Sequence, residues 1–360
     1  MPYDRLRERL DDGLPSPTLT ALPDGSVDRY CDVQVGIGAD VASAPDLGEL
    51  IAAGTVGSVH AQEHTERAGG QAVNLADGAH ALGADVTLYG LLDHPIHDGY
   101  PYETVSMGEP IEILVLEFEE DAFFVANDSE DSQEWTFATL AEAAEAAGRD
   151  LDADLTADGV ALVNWVSFPG LADAVGEMAE RAAVTGGDGD TDGADPTPLL
   201  FDAGDVGGSD PDSLDALLDG MRTLSEGYDL LFSANETEAR VLGEAAGCDG
   251  DDPVDCLRAV AESTDGAAVL HAKKGAVAVE DGETYRLAAP KIEEPDRPTG
   301  GGDTFGAALL HARAAGWEWE PSLELANAAT SYYVEYGEHA GVDELSEHLV
   351  GAELADFEQC

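Results

Sequence analysis

The sequence predicts an α/β protein built on a mostly parallel central sheet sandwiched by helices. Three observations carry this expectation. Short apolar runs of strand length alternate with Ala/Leu-rich helical segments along most of the 360 residues, the pattern of a sheet buried on both faces. Hydrophobic residues make up 44% of the chain, enough to fill a large core. No internal repeat occurs, which sets aside solenoids and propellers.

Taken in order, residues 3–10 read as a short amphipathic helix stopped by Gly13 and Pro15. A strand at 18–22 breaks at Pro23-Asp24-Gly25, a turn sequence. Residues 27–62 hold only short apolar runs such as Val33-Gln34-Val35, which suits a peripheral sheet. From Gly69 the apolar residues take helical spacing up to Gly83, where a helix stops, and 86–89 reads as a buried strand. Residues 112–118 and 122–126 alternate around the acidic turn Glu119-Glu120-Asp121, a hairpin pattern. Helices are expected at 138–147, 170–184, 212–224, 305–315 and 323–332, and strands at 160–166, 199–201, 230–232, 267–271 and 277–280. The Gly/Asp-rich stretch 185–198 has no periodicity and is expected to be a mobile surface loop.

Against 75 Asp and Glu stand only 16 Lys and Arg, a formal charge of −59 at pH 7. Lys273, Lys274 and Lys291 are the only lysines, so capture of nucleic acid or an anionic membrane is excluded for want of clustered cations. Such self-repulsion opposes compaction at low salt, whereas in molar salt the Debye length falls to about 3 Å and screens it. The imbalance is therefore read as that of an extreme halophile with a salt-filled cytoplasm. Cys31, Cys248, Cys256 and Cys360 fit no metal spacing and are expected as unpaired thiols in a reducing cytosol. The opening MPYDRLRERLDDG has no apolar signal core, and no run of about 18 apolar residues occurs, so a cytoplasmic location is expected.

The strongest local signal is Thr299-Gly300-Gly301-Gly302-Asp303-Thr304-Phe305, followed directly by an Ala/Leu-rich helix. Consecutive glycines let main-chain amides approach a ligand, and the helix start adds positive partial charge, which favours phosphate. Asp303 at the same point can take a proton from an attacking hydroxyl. The plain alternative is an Asp capping a helix after a turn. Gly69-Gly70-Gln71-Ala72-Val73-Asn74 also opens a helix with glycines, and the Asn74 amide on its first turns suits sugar hydroxyls. Asn235 and Glu238 follow the strand at 230–232 and share a helical face. They suit hydrated magnesium, or equally a capping box.

The order of these three pieces resembles the ribokinase family, also called the PfkB family of carbohydrate kinases. GGQAVN resembles its first signature, ANETEA its Asn-x-x-Glu magnesium motif, and TGGGDTFGAAL its anion hole with the catalytic Asp, across nearly the whole chain. The resemblance implies a single ribokinase-like domain over 1–360 with a small β-sheet lid, formed by about 27–62 and 98–135. It implies transfer of the terminal phosphoryl group of ATP, or of ADP, to a hydroxyl of a sugar or sugar phosphate. Asp303 would be the base, and the amides of Gly300, Gly301 and Gly302 the anion hole. Asn235 and Glu238 would position Mg2+ through water. Asp28, which follows Gly25-Ser26-Val27, would hold the sugar together with Gly69, Gly70 and Asn74. Gly275 falls on the family's nucleotide-binding turn, with Lys273 and Lys274 beside it, and Asn327 on the helix lining the adenine pocket. A homodimer through the lid is also implied.

Two departures matter. Arg297-Pro298-Thr299 stands where the family commonly has Asp-Thr-Thr, which puts activation by a monovalent cation in doubt. Ala272 replaces a glycine in the nucleotide turn. For the substrate, Arg29, Arg67 and Arg297 flank the sugar and phosphate motifs and would suit a phosphorylated sugar such as ribose 1-phosphate; the same three also read as ion pairs among carboxylates. His64 and His94 near the same segments read as structural. A nucleoside kinase is the rival within the class, and a non-catalytic nucleotide- or sugar-binding protein the rival outside it. A binder has no need of Asp303. A dinucleotide-binding GxGxxG after the first strand is missing, which sets aside a dehydrogenase.

Overall fold

The computed structural model describes residues 3–37, 39–118, 121–186, 196–292 and 299–357. Fourteen strands are described: β1 (Thr18–Leu22), β2 (Ser26–Val35), β3 (Ala39–Asp40), β4 (Val59–Gly69), β5 (Asp85–Gly90), β6 (Glu103–Ser106), β7 (Ile111–Glu117), β8 (Ala122–Asn127), β9 (Gly159–Val163), β10 (Pro198–Asp202), β11 (Asp229–Ala234), β12 (Ala267–Ala272), β13 (Gly275–Glu280) and β14 (Glu283–Ala288). The helices are α1 (Asp4–Asp12), α2 (Ala44–Ala52), α3 (Gln71–Ala81), α4 (Glu130–Gln133), α5 (Phe137–Ala147), α6 (Leu151–Leu155), α7 (Leu171–Gly186), α8 (Pro211–Ser225), α9 (Glu236–Ala245), α10 (Pro253–Thr264), α11 (Gly301–Ala314), α12 (Trp319–Tyr336) and α13 (Val342–His348).

Nine strands form one sheet in the order β14-β13-β12-β11-β10-β9-β1-β5-β6. From β12 to β6 every pairing is parallel, and β13 and β14 add an antiparallel edge. The strands read as unbroken apolar runs because both faces are covered. Val160 and Leu162 point into one core with Phe201, Phe232 and the apolar sides of α7, α8 and α10. Ala161 and Val163, one residue out of step, point into the other with α1, α3, α11 and α12, as a two-residue side-chain period requires.

The second sheet has five strands, β3-β2-β7-β8 with β4 also on β2. Its separate core cluster is small, with Cys31, Val33 and Leu116 as the buried residues, while β8 leaves Phe123, Phe124 and Val125 exposed. Within the stretch 98–135, only β7 and β8 belong to this sheet. Glu103–Ser106 instead pairs with β5 in the large sheet, and Trp135 is buried in the main core. Most of the expected loop at 185–198 lies outside the described residues; α7 runs to Gly186 and β10 begins at Pro198. Among the described residues, no helix is long and apolar enough to cross a membrane.

Candidate active site

β1 and β9 lie side by side, yet the chain continues from them in opposite directions, to β5 and β6 on one side and to β10, β11 and β12 on the other. Such a switch point opens a crevice beyond the carboxyl ends of the strands, where ligands bind in sheets of this kind. The polar residues gather there. Asp24 follows β1, Asn164 follows β9, Asp202 ends β10, Asn235 follows β11, and His271 lies one residue from the end of β12. The starts of α3 and α11 meet over them, joined by the Asn74 Nδ2, which donates to Asp303 Oδ2 at 2.8 Å.

The two helix starts differ in a way that matters chemically. At α3, Gly70 has φ 106° and lies so close to Gly25 that a Cβ would come within 2.9 Å of the Gly25 Cα. This close approach brings the buried Asp24 carboxylate over the helix end, where it accepts from the Gln71 amide at 3.0 Å, the Ala72 amide at 2.6 Å and Asn164 Nδ2 at 2.8 Å. A carboxylate thus already occupies the positive end of α3. At α11 the N-cap residue is Gly300, which has no side chain to cap the helix, and none of the described residues supplies one. Gly300 turns into it with φ 87°, pressed against the Tyr333 hydroxyl, and a Cβ on Gly302 would sit 3.1 Å from the His271 ring. The first amides of a helix have no partners within it, so this end is the one open to an anion.

Asp303 is half-buried on the first turn of α11. Burial pushes its carboxyl well above the usual carboxylate range, and the charges of Asp202 and Asp24 push it further; hydrogen bonds from Asn74 and Gln71 pull the other way. The Gln71 Nε2 also donates to Asp202 Oδ1 at 3.0 Å, so one amide ties the two carboxylates together. A carboxylate so placed is a strong proton acceptor once ionised.

Asn235 and Glu238 form the capping box of α9: Asn235 Oδ1 accepts from the Thr237 and Glu238 amides, and Glu238 accepts from the Asn235 amide. The box is not the whole account of Glu238. Its carboxyl is pushed up to about 8, first by burial and then by the charges of Asp202 and Asp205. Carboxylates crowded without a cation fit a divalent ion. Among the described residues, no group of three or more His, Cys, Asp or Glu forms a ligand shell; hydrated magnesium usually takes one or two protein oxygens, with water and phosphate supplying the rest.

The remaining expected residues take these places. Asp28 lies over Gly69, where a Cβ would come 2.2 Å from its Oδ2, and it accepts from the Ser26 hydroxyl at 2.6 Å. Arg29 is paired with Glu66 at 3.3 Å and Glu112 at 3.1 Å, and the Arg67 guanidinium lies 5.3 Å over the Tyr30 ring. His64 pairs with Glu117, and His94 caps the short turn that follows it. Lys273 and Lys274 are exposed on the β12–β13 turn. Gly275 is fixed by packing, since a Cβ there would strike the Leu287 carbonyl at 2.2 Å. Asn327 is buried and donates to that same carbonyl. Arg297 lies outside the described residues.

Sequence reasoning missed Asp24, Gln71, Asp202 and His271. Their one sequence signal was position: each lies at or just beyond a strand end, or at the helix start that faces it.

The family described as prokaryotic ketohexokinase matches residues 45–351. Ketohexokinase of Haloferax volcanii is 26% identical over 292 residues, covering 78% of this chain and 74% of the relative. Among solved structures, adenosine kinase from Sinorhizobium meliloti superposes with a TM-score of 0.63 at 19% identity, covering 93% of this chain and 99% of that one. Ribokinase from Arabidopsis thaliana, complexed with ribose and ATP, superposes with a TM-score of 0.62 at 17% identity over the same shares. These two likenesses establish the ribokinase-like fold. With the family match spanning most of the residues that build both the sheet and the crevice above it, the chain belongs to the prokaryotic ketohexokinase family, on a ribokinase-like fold.

Proposed function

We propose that the chain transfers the terminal phosphoryl group of ATP to a hydroxyl of an unphosphorylated ketohexose, D-fructose being the first to test. The observation that supports this most is the contrast between the helix starts. The open end of α11 suits the phosphates, whereas α3 carries Asp24 at its positive end, a setting for neutral hydroxyls and hostile to a second phosphate. Two of the arginines that would suit a sugar phosphate, Arg29 and Arg67, are engaged with Glu66, Glu112 and Tyr30. That disfavours ribose 1-phosphate.

In this reading Asp28 and Asn74 hold the sugar hydroxyls and Asp303 takes the proton from the attacking one. The amides at Gly301, Gly302 and Asp303 face the charge that builds on the transferring group. Asn235 and Glu238 are the residues that would hold magnesium, which when bound offsets the charge of the nucleotide phosphates. The crowded pair of phosphates and carboxylates needs that offset.

The test is a matrix of donors (ATP, ADP, GTP) against D-fructose, other hexoses, ribose, ribose 1-phosphate and nucleosides, with magnesium in multimolar KCl. Fructose and ATP as the best pair supports the proposal. A nucleoside or ribose 1-phosphate turned over faster than every free sugar overturns it. We also read the charge of −59 as adaptation to a cytoplasm of molar salt. The exposed Phe123, Phe124 and Val125 support pairing of two copies through the second sheet, which light scattering in that salt would measure.

A further inference from the structure

We propose that His271 is a nucleotide-binding residue, its Nε2–H donating to an oxygen of the terminal phosphates seated at the start of α11. This deepens the kinase reading and rests on it. The ring stacks at 5.5 Å on Phe305, one helical turn into α11. A Cβ on Gly302 would lie 3.1 Å from its Cε1 and 3.5 Å from its Nε2, so the edge carrying that nitrogen is turned to the uncapped helix start. Nε2 is buried and has no hydrogen-bond partner among the described residues. A buried donor left unmade costs free energy comparable to the bond itself. A fold keeps such a donor where a ligand completes it.

Among the described residues, the surroundings leave few other donors for a polyanion. Asp24, Asp202 and Asp303 bring carboxyl groups into the crevice, and Lys273 and Lys274 stand exposed on the turn beyond β12. Burial holds the His271 ring below its ordinary pKa, the Asp202 charge partly opposing this. The contact does not depend on that titration, because a neutral imidazole with its proton on Nε2 donates as an imidazolium does. Position in the chain points the same way: β12 delivers His271 to the switch-point crevice just as β10 and β11 deliver Asp202 and Asn235.

The experiment measures calorimetric binding of Mg-AMP-PNP and of AMP to the full chain in molar KCl, for wild type, His271→Phe and His271→Gln. A hydrogen bond to a charged group predicts that His271→Phe weakens Mg-AMP-PNP about tenfold or more, leaves AMP unchanged, and is largely rescued by His271→Gln, which restores a donor. In the wild type, the imidazole nitrogen resonances should move when Mg-AMP-PNP is added; this measurement stands even if His271→Phe does not fold. The proposal is overturned if His271→Phe binds Mg-AMP-PNP as tightly as wild type. It is equally overturned if AMP weakens in parallel, if glutamine gives no rescue, or if the resonances stay still. Wild-type protein that fails to bind Mg-AMP-PNP at all defeats the kinase reading itself, a separate outcome from a nucleotide-binding protein indifferent to His271.

Discussion

Replacing Asp303 by Asn separates the proton acceptor from the shape of the site. The amide is nearly isosteric and keeps one oxygen able to accept from Asn74 Nδ2, now 2.8 Å from Asp303 Oδ2. What it loses is basicity. A positioned general base contributes about 10²–10⁴ in rate, or about 3–5 kcal/mol of transition-state stabilisation, so kcat with fructose should fall by that factor while Mg-AMP-PNP binding holds. The wild-type pH profile gives a second reading. Burial, with Asp202 and Asp24 adding charge, holds this carboxyl well above its usual range, so kcat/KM should rise with pH through that raised value, and Asp303→Asn should abolish the limb. Stability moves the opposite way. A folded value above the unfolded one means the fold favours the protonated form; that contribution is complete below the ordinary carboxylate range and is lost as pH climbs through the folded value. Ionising the side chain therefore weakens the fold, and Asp303→Asn should raise the thermal midpoint at pH values above that raised value. A variant that keeps normal turnover, or loses nucleotide binding and thermal stability together with activity, refutes the assignment.

The sugar side, the surface and the solvent give three further tests. In Gly69→Ala the new Cβ would meet Asp28 Oδ2 at 2.2 Å, and overpacking of this kind typically costs about 1–3 kcal/mol; the fructose KM should rise steeply with Mg-AMP-PNP binding unchanged, as steady-state kinetics and calorimetry would show. Arg29→Ala breaks contacts to Glu66 and Glu112 that are exposed to solvent, so the fructose KM should change by less than about twofold, whereas a large rise would return a phosphorylated substrate to contention. Raising KCl from about 0.1 M to about 1 M shortens the Debye length from about 10 Å to about 3 Å, and with a charge of −59 the thermal midpoint should climb; a flat response in scanning calorimetry would count against the halophilic reading.

What could be read from the sequence follows from how local each cause is. Gly300 and Gly70 announce themselves because a tight approach or a positive φ leaves few other residues to choose. Asp303 and Asn74 sit on the first turns behind them, so each was legible as a candidate site residue, although nothing local shows that the two meet across 229 residues. The sheet was legible because its strands are apolar throughout. The second sheet was legible in part: its β7–β8 hairpin shows as two alternating runs about an acidic turn, whereas β4 is exposed along most of its length and carries no alternation to detect, and β6 is too short to show which sheet it joins. For Arg29 and Arg67 the sequence left two readings open, a phosphate site or ion pairs among carboxylates, because the partners Glu66, Glu112 and Tyr30 are brought in only by strand pairing.

Asp24 shows most clearly why a site like this one resists reading along the chain. Pro23-Asp24-Gly25 is a turn by any local rule, and nothing near it reveals that its carboxylate caps a helix 47 residues further on. Yet that contact decides how the crevice divides its labour. Two glycine-opened helices point into one space, and by sequence either could receive phosphate. Filling one with a built-in carboxylate removes its pull on anions and leaves the other as the place where phosphate binding gains. In a crevice holding Asp24, Asp202, Asp205, Glu238 and Asp303, a polyanion is admitted only where main-chain amides, a divalent cation and neutral donors converge. In the proposed reading that convergence lies at α11, beside Asp303, and a neutral sugar is left the ground next to Asp24.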